Sequence, residues 1–320
     1  MKAIIVREFG AAEVMKFEEI ATPEPNENQV LVKMKAAGVN PVDTYIRSGV
    51  YAQKPDLPYT PGKDGAGIVE AVGGRVSKFK AGDRVLTADA GSGTYAEFAV
   101  FDERQLIGLP ENVSFEQGAG VFVPFATAYR ALFQKAKGKA GETVLVHGAS
   151  GGVGVAAIQW AKNAGLTVIG TASSDEGRKL VKEQGADFVV DHSTENYLAE
   201  ILEITGGKGV EIILEMLANV NLQKDFDVLA RFGRVSIIGN RGSLEFNPRA
   251  IMSKDASVFG MSLFNAPEAE MQDIHTAIFD GLQAGFLKPI VGKTYALESA
   301  VEAHRAVIEE KAFGKIVLTV

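Results

Sequence analysis

The chain has 320 residues, more than one hydrophobic core usually organises, and this length predicts two domains. Its formal net charge of -7 disfavours nucleic acid or an anionic membrane as a partner. The absence of cysteine excludes disulfides, thiolate metal sites and cysteine nucleophiles. The amino terminus reads as a strand rather than a secretion signal, and no apolar run approaches the roughly 18 residues of a membrane-spanning helix. We therefore expect a cytoplasmic protein without a membrane partner.

The amino-terminal part of the chain, as far as about Val100, is predicted to be rich in β-structure. Short β-like runs such as Val30–Met34 alternate with turns that contain proline and glycine, such as residues 60–62. Further along, Ser114 followed by Gln117 fits a capping box, and a helix is predicted from about Val123 to Lys137. We place the first domain boundary after residue 122.

The next part of the chain alternates strands and helices at regular spacing. The predicted strands are Thr143–His147, Thr167–Thr171, Phe188–Asp191, Val210–Glu215, Arg234–Ile238 and Ser257–Met261. The first three are each followed by a predicted helix, which is typical of parallel βαβ units. The pattern predicts the α/β fold class, with a Rossmann-type, doubly wound, six-stranded parallel sheet over residues 123–263. The tail, 264–320, is expected to rejoin residues 1–122.

The strongest local signal is a glycine-rich turn between the first of these strands and the next helix. The spacing Ala149-x-Gly151-x-x-Gly154 is a dinucleotide-binding fingerprint with alanine in its first position. Such a turn brings main-chain N–H groups and the helix amino terminus to a pyrophosphate. The predicted pyrophosphate contacts are Ser150, Gly151, Gly152 and Val153.

The end of the second strand sets the choice between NADH and NADPH, because a carboxylate there would repel a 2'-phosphate. Ser174 stands at that position instead of an acid, and Arg178 and Lys179 follow one turn into the next helix. Asp175 and Glu176 are first-turn residues that the helix dipole favours. The sequence therefore predicts NADPH as the cofactor.

Ligands bind beyond the carboxyl ends of the strands in open α/β sheets, so residues after the later strands are further candidates. The cofactor contacts predicted after the fourth, fifth and sixth strands are Asn221, Ile238, Gly239, Asn240, Arg241, Met261, Ser262 and Leu263.

Several motifs resemble one known family. They are residues 38–49 (GVNPVDTYIRSG), 59–67 (YTPGKDGAG), 125–132 (FATAYRAL) and 215–221 (EMLANVN), together with the fingerprint above. Along its whole length the chain resembles the medium-chain dehydrogenase/reductase superfamily and, within it, the quinone oxidoreductases of the zeta-crystallin group. The resemblance implies a GroES-like β-rich barrel domain, transfer of reducing equivalents from NADPH to quinones, and a homodimer or homotetramer.

The resemblance also implies roles for three more residues. Thr127 is expected near the nicotinamide, His192 beside the adenosine phosphate, and Lys315 at a final cofactor contact. From the sequence alone, each has a simpler interpretation: a packed threonine in an apolar helix, a solvated histidine at a strand end, and a surface turn at Gly314 and Lys315.

Zinc-dependent members of the same superfamily carry their metal ligands at positions that can be identified here. Asn40 stands in place of a ligating cysteine and Lys63 in place of a ligating histidine, so Asp64 alone cannot hold a catalytic zinc. The four histidines are scattered and show no metal-ligand spacing. We therefore predict a zinc-independent enzyme, whose substrate must itself be electrophilic, as a quinone is.

Asn40 and Tyr45 are the candidate catalytic residues. They lie five residues apart across what the sequence suggests is a short turn. We expect them to donate hydrogen bonds to the nicotinamide ribose or the substrate oxygen, and to count among the cofactor contacts. The alternative is that Asn40 only begins a turn and Tyr45 is a packed ring.

Two other functions stay open at this point. An NADPH-dependent reductase of α,β-unsaturated carbonyls, including enoyl thioesters, would use the same residues. A structural or RNA-binding role, which the zeta-crystallin resemblance raises, is disfavoured by the acidic charge and by the lack of a basic and aromatic stripe.

Overall fold

The computed structural model describes residues 1–88, 93–311 and 313–320. They form two compact units: unit 1 comprises residues 1–123 and 275–320, and unit 2 comprises residues 124–274. The sequence places the second boundary after residue 263 instead. We keep that position as a proposal, because the helix Glu268–Gln283 runs past residue 274 as one element.

The strands are β1 (Lys2–Val6), β2 (Met15–Glu19), β3 (Gln29–Val39), β4 (Asp64–Val72), β5 (Arg84–Thr87), β6 (Phe98–Asp102), β7 (Leu106–Gly108), β8 (Thr143–Val146), β9 (Thr167–Thr171), β10 (Phe188–Val190), β11 (Val210–Glu215), β12 (Leu229–Ile237), β13 (Ser257–Gly260), β14 (Val291–Ala296) and β15 (Lys315–Thr319). The α-helices are α1 (Pro41–Arg47), α2 (Phe115–Gly118), α3 (Phe122–Tyr129), α4 (Gly152–Asn163), α5 (Asp175–Glu183), α6 (Tyr197–Ile204), α7 (Ala218–Val228), α8 (Arg249–Met252), α9 (Glu268–Gln283) and α10 (Ala300–Glu309). None of the helices in the described ranges has the length and apolar character needed to cross a membrane.

Unit 1 is rich in β-structure, as predicted. Its larger sheet has the strand order β14-β15-β3-β4-β5-β7, with β6 also paired to β3, while β1 and β2 pair with each other. The long strand β3 buries Val30, Val32 and Met34 in a core shared with Val69 and Leu106. The tail of the chain supplies β14 and β15, and β15 pairs antiparallel with β3.

Unit 2 contains the predicted doubly wound sheet. All of its residues are described, and its six strands are parallel in the order β10-β9-β8-β11-β12-β13. Helices cover both faces of such sheets, so the central strands are almost wholly apolar; residues 144–146 of β8 are completely buried. The strands end together at one edge of the sheet. We call this the carboxyl edge and define it by Val146, Thr171, Val190, Glu215, Ile237 and Gly260.

The helix predicted from Val123 to Lys137 changes form halfway along. After α3 ends at Tyr129, residues 130–135 form a π-helix, in which the Ala136 N–H donates to the Ala131 carbonyl at 3.0 Å. The Ser236 hydroxyl on β12 donates to the same carbonyl, also at 3.0 Å. The predicted helical stretch is therefore present, but its second half is a π-helix. A tertiary hydrogen bond accompanies the wider turn, and π-turns of this kind are common near functional sites.

Candidate active site

The turn between β8 and α4 allows a ligand to approach the main chain closely. A Cβ atom at Gly154 would lie only 2.5 Å from Ala149 Cα, so a larger residue does not fit. Helix α4 follows an N-cap glycine, Gly151, that has no side chain to bond the first-turn amides. Those N–H groups lack intrahelical partners, and the turn fits an anionic pyrophosphate. The predicted contacts that lie here are Ser150, Gly151, Gly152 and Val153.

At the end of β9, Ser174 caps helix α5. Its hydroxyl accepts a hydrogen bond from the Gly177 N–H at 3.2 Å. Arg178, one of the two cations predicted to face a 2'-phosphate, forms ion pairs with Asp175 and Asp191. A phosphate would have to compete with both carboxylates for this guanidinium group.

Lys179 is the second predicted cation and is less engaged than Arg178. Its side chain is 77% exposed, and its ammonium group lies 3.9 Å from Glu183. Exposed pairs of this length contribute little energy. Of the two side chains, Lys179 is therefore the one that a phosphate can recruit at lower cost.

His192 follows β10 on the same edge of the sheet. Its Nδ1 atom lies 3.0 Å from the Thr171 hydroxyl at the end of β9. Burial and the nearby His147 lower the pKa of His192, so its imidazole is neutral at pH 7. The hydrogen bond to Thr171 orients the ring across the ends of two neighbouring strands.

The loops after β11 and β12 are packed against each other. A Cβ atom at Gly239 would lie 2.2 Å from the Met216 carbonyl oxygen, and the Arg241 N–H donates to the Asn219 side chain at 2.9 Å. The side chain of Leu263, after β13, is buried. The structure places all the contacts predicted for the later strands beyond the carboxyl edge: Asn221, Ile238, Gly239, Asn240, Arg241, Met261, Ser262 and Leu263.

Unit 1 buries a charged cluster around Asn40. The Lys315 ammonium group lies 2.5 Å from Asn40 Oδ1 and 2.6 Å from Asp64 Oδ2. The Asn40 side-chain amide also donates to Asp64 Oδ2 at 3.1 Å, and Asp64 Oδ1 accepts the Val123 N–H at 2.9 Å. Asn40, Asp64 and Lys315 are each at least 96% buried. A surface turn at Lys315, one of the two interpretations of the sequence, is thus wrong.

This cluster does not suit zinc. A catalytic zinc needs three protein ligands that offer lone pairs. A lysine ammonium group has only donors, and the one on Lys315 already contacts the two oxygens that a metal would use. The oxygens of Asn40 and Asp64 therefore bind a lysine cation where zinc-dependent relatives would bind a metal ion.

The prediction of a short turn between Asn40 and Tyr45 is wrong, because Pro41–Arg47 forms helix α1. The Asn40 N–H donates to the Asp43 carboxylate at 2.8 Å, and Pro41 has the fixed backbone angle suited to a first helical position. Burial raises the pKa of Asp43 to about 6. Tyr45 lies on α1 with its side chain partly exposed, whereas Asn40 is 3% exposed.

Thr127 belongs to unit 2. It lies in α3 and is 6% exposed. The structure thus gives it the packed environment that an apolar helix predicts, and its expected place near the nicotinamide stays a proposal.

Unit 2 contains a second buried cluster, which was not predicted from the sequence. His147 Nε2 lies 2.8 Å from Asp225 Oδ1 and 3.5 Å from Glu215 Oε2, and all three side chains are buried. The four histidines show no metal-ligand spacing along the chain. In the folded structure, however, His147 lies beside two carboxylates. The available signal was that His147 and Glu215 stand at the ends of two apolar strands.

Two family models match the chain. A GroES-like domain of alcohol dehydrogenases matches residues 26–111, and a zinc-binding dehydrogenase domain matches residues 152–279. A human protein named quinone oxidoreductase is 50% identical over 320 residues, which cover 99% of this chain and 97% of the human one. A quinone oxidoreductase of Pseudomonas aeruginosa is 35% identical and covers 99% of both chains.

A solved structure agrees with the sequence relatives. The Escherichia coli quinone oxidoreductase complexed with NADPH superposes with a TM-score of 0.90 at 32% identity and covers all of both chains. The likeness extends over both units and both matched domains.

Proposed function

The chain belongs to the quinone oxidoreductase family of the medium-chain dehydrogenase/reductase superfamily, and from that membership we infer that it is an NADPH:quinone oxidoreductase. The resemblance to the human enzyme spans nearly the whole chain, and a neighbouring structure of that name contains NADPH. The turn before α4 offers the pyrophosphate site that such a cofactor requires.

The observation that carries the choice of substrate is the cluster of Asn40, Asp64 and Lys315. It places a lysine cation among the groups that would have to bind zinc, so we propose a zinc-independent reaction. Without a metal to polarise an ordinary ketone, the acceptor must be electrophilic by itself. Quinones meet that requirement.

NADPH supplies a hydride when it is bound, and the residues of the chain hold and orient the reactants. We propose that the turn before α4 binds the pyrophosphate. The 2'-phosphate lies beside Ser174, which does not repel it, and pairs with Lys179. Arg178 also pairs with this phosphate when it gives up one of its two carboxylate partners. His192, Thr127 and the loops after the later strands complete the proposed cofactor contacts.

Asn40 and Tyr45 stay the proposed catalytic residues. Asn40 is fixed by Lys315 and Asp64, and its amide group retains a second N–H that can donate to an oxygen. Tyr45 has a partly exposed hydroxyl-bearing ring that can donate a proton or a hydrogen bond to the reduced acceptor. Lys315 is proposed to hold Asn40 as well as to lie near the cofactor.

The test is the rate of NADPH and NADH consumption after treatment with a chelator, with three classes of acceptor: an ortho-quinone, a simple enone and a simple ketone. We expect NADPH oxidation with the quinone at an unchanged rate after chelation. Ketone reduction that the chelator abolishes would contradict the proposal. A preference for the enone over the quinone would favour the alternative reaction, and tight RNA binding without any turnover would favour a non-enzymatic role.

We further propose that the protein acts in the cytoplasm as a homodimer or homotetramer. Strand β13 lies at the edge of the unit 2 sheet and its residues are exposed or half-buried. Such an edge presents unpaired main-chain groups that a second copy can cover. Light scattering coupled to size exclusion checks the number of copies, and a monomer at all concentrations would contradict this proposal.

A further inference from the structure

Glu215 ends β11 and is completely buried. Its Oε1 atom accepts hydrogen bonds from the Leu217 N–H and from the Asn221 side-chain amide, the latter at 3.2 Å. One carboxylate oxygen therefore bonds both the main chain before α7 and a side chain in the first turn of α7. That connection lies at the carboxyl edge, where the cofactor contacts are proposed.

The main chain of Glu215 holds the next loop as well. Its carbonyl oxygen accepts the Ile238 N–H at 2.8 Å and the Gly239 N–H at 3.2 Å. The Gly239 carbonyl oxygen in turn accepts the Ala218 N–H at 3.0 Å. Glu215 thus bonds the segments that follow both β11 and β12.

The other carboxylate oxygen of Glu215 faces His147, which also bonds Asp225 on α7. Burial lowers the pKa of His147, but the two carboxylates outweigh this effect and the net pKa is raised. Protonation of His147 is therefore favoured by the two carboxylates beside it. Tyr197 and His192 are the other titratable groups that interact with this cluster.

A shared tetrahedral zinc ion does not explain the cluster. Two ligands of one tetrahedral zinc ion lie about 3.3 Å apart when each is about 2.0 Å from the metal. The His147 nitrogen and the Asp225 oxygen are 2.8 Å apart, which is the distance of a hydrogen bond. The distance between these two residues is therefore that of a shared proton rather than that of two ligands of a tetrahedral zinc ion.

We propose that Glu215 is a positioning residue for the cofactor. Its carboxylate, which faces His147, holds Asn221 and the main chain at Leu217 in the arrangement that receives NADPH. A buried carboxylate costs stability unless it is paired, so its presence at a ligand-binding edge is better explained by positioning than by stability. This inference rests on the proposed function, because it assumes that NADPH binds at the carboxyl edge.

The test compares E215Q, N221A and the double variant by fluorescence titration of NADPH in the absence of any quinone. Glutamine cannot replace the carboxylate, because its NH2 group must oppose either the Leu217 N–H or the proton that His147 shares with Asp225. We expect the Kd of NADPH to rise about tenfold in E215Q, which corresponds to about 1.4 kcal/mol. The double variant should be little worse than either single one, because Glu215 acts through Asn221 and its loop.

Glu211→Gln is the matched control. Glu211 lies on the same strand and its carboxylate also accepts a main-chain N–H, that of Thr143 at 2.7 Å, but away from the carboxyl edge. Its substitution should leave the Kd unchanged. In steady-state assays, E215Q should raise the KM for NADPH while kcat stays the same.

An E215Q variant that unfolds more easily yet binds NADPH normally would overturn the proposal, as would additive effects in the double variant. If E215Q does not fold, Glu215→Asp keeps the charge and shortens its reach to Leu217 and Asn221. A tenfold weaker Kd in that variant supports the proposal and an unchanged Kd overturns it. Failure of the wild type to reduce quinones would count against the proposed reaction alone, because the Kd is measured without an acceptor.

Discussion

Each unit buries a charged cluster, but the two clusters differ in whether their buried polar atoms all have hydrogen-bond partners. In unit 1, the buried polar side-chain atoms of Asn40, Asp64 and Lys315 all have partners within the described residues. In unit 2, Glu215 Oε2 and Asp225 Oδ2 are buried without a hydrogen-bond partner in that part of the chain. In the first cluster a lysine bonds the neighbouring oxygens, whereas in the second a titratable histidine lies between two carboxylates.

This contrast in chemistry determines what each cluster can do. The Lys315 ammonium group contacts both Asn40 and Asp64, so the unit 1 cluster is a fixed support that holds Asn40 in one place. Histidine changes its charge near neutral pH, so the unit 2 cluster responds to protonation beneath the loops that we propose for the cofactor. The unit 1 cluster therefore fixes the position of a side chain, whereas the unit 2 cluster changes its charge with pH.

The largest effect is expected from Lys315→Met. This change leaves the Asp64 carboxylate buried without its cation and should reduce the free energy of unfolding by about 3–5 kcal/mol. Urea unfolding at neutral pH measures the loss. Replacing Asp64 with asparagine in the same variant should recover part of it, because the uncompensated charge is then removed.

Lys293→Met is the matched control for that prediction. Lys293 pairs with Glu310 at 2.9 Å, also in unit 1, but both side chains are about half exposed. Exposed pairs contribute about 0–1 kcal/mol. If Lys315→Met costs no more than Lys293→Met, the unit 1 cluster is not the rigid support described above.

The next effect is a dependence on pH with opposite sign in the two units. In unit 1, burial lowers the pKa of His275 to about 4 and that of His304 to about 3. The two histidines bind protons in the unfolded chain but not in the folded one, so the stability that they contribute is lost as the pH drops below about 6.5. Asp43, whose pKa burial raises to about 6, opposes part of this trend.

In unit 2 the sign reverses. Burial raises the pKa of Glu215 to about 7, and the pKa of His147 is also raised. The folded state then holds more protons than the unfolded state, so the stability that these protons contribute is lost as the pH rises through about 7. His192, whose pKa is lowered, opposes part of this trend.

Amide hydrogen exchange, corrected for the intrinsic effect of pH, checks both signs at once. Between about pH 5 and about pH 8 we expect α10 to become more protected and β8 and β11 less protected, by about 1–3 kcal/mol in opening free energy. E215Q should flatten the trend in unit 2 and leave that in unit 1 unchanged. If the two units gained or lost protection together, the opposite signs expected for them would be wrong.

The sheet of unit 2 and its fingerprint turn were predictable because their signals are local. Strands buried on both faces appear as short apolar runs, and the turn after β8 is encoded within a few consecutive residues. The same locality explains the correct capping box at Ser114, whose hydroxyl accepts the Gln117 N–H at 3.2 Å.

The two clusters were not predictable, because their members meet only through topology. Lys315 reaches Asn40 and Asp64 because β15 pairs with β3 across most of the chain length. His147 meets Glu215 because β8 and β11 are neighbours in the sheet although two strands intervene in sequence. The α1 helix was missed for another reason: a polar residue followed by proline begins a turn as readily as a helix.

The smallest effect should come from Ser174→Asp at the open edge of unit 2. A carboxylate there repels the 2'-phosphate, so the ratio of Kd values for NADPH and NADH should shift toward NADH by about tenfold, or about 1.4 kcal/mol. Lys179→Ala should weaken NADPH but not NADH. The control is Ser114→Asp, since both serines cap a helix through a 3.2 Å bond and aspartate is an equally good cap. An unchanged ratio in Ser174→Asp would mean that the 2'-phosphate is recognised elsewhere, and the open edge of unit 2 would then lose its proposed role in cofactor choice.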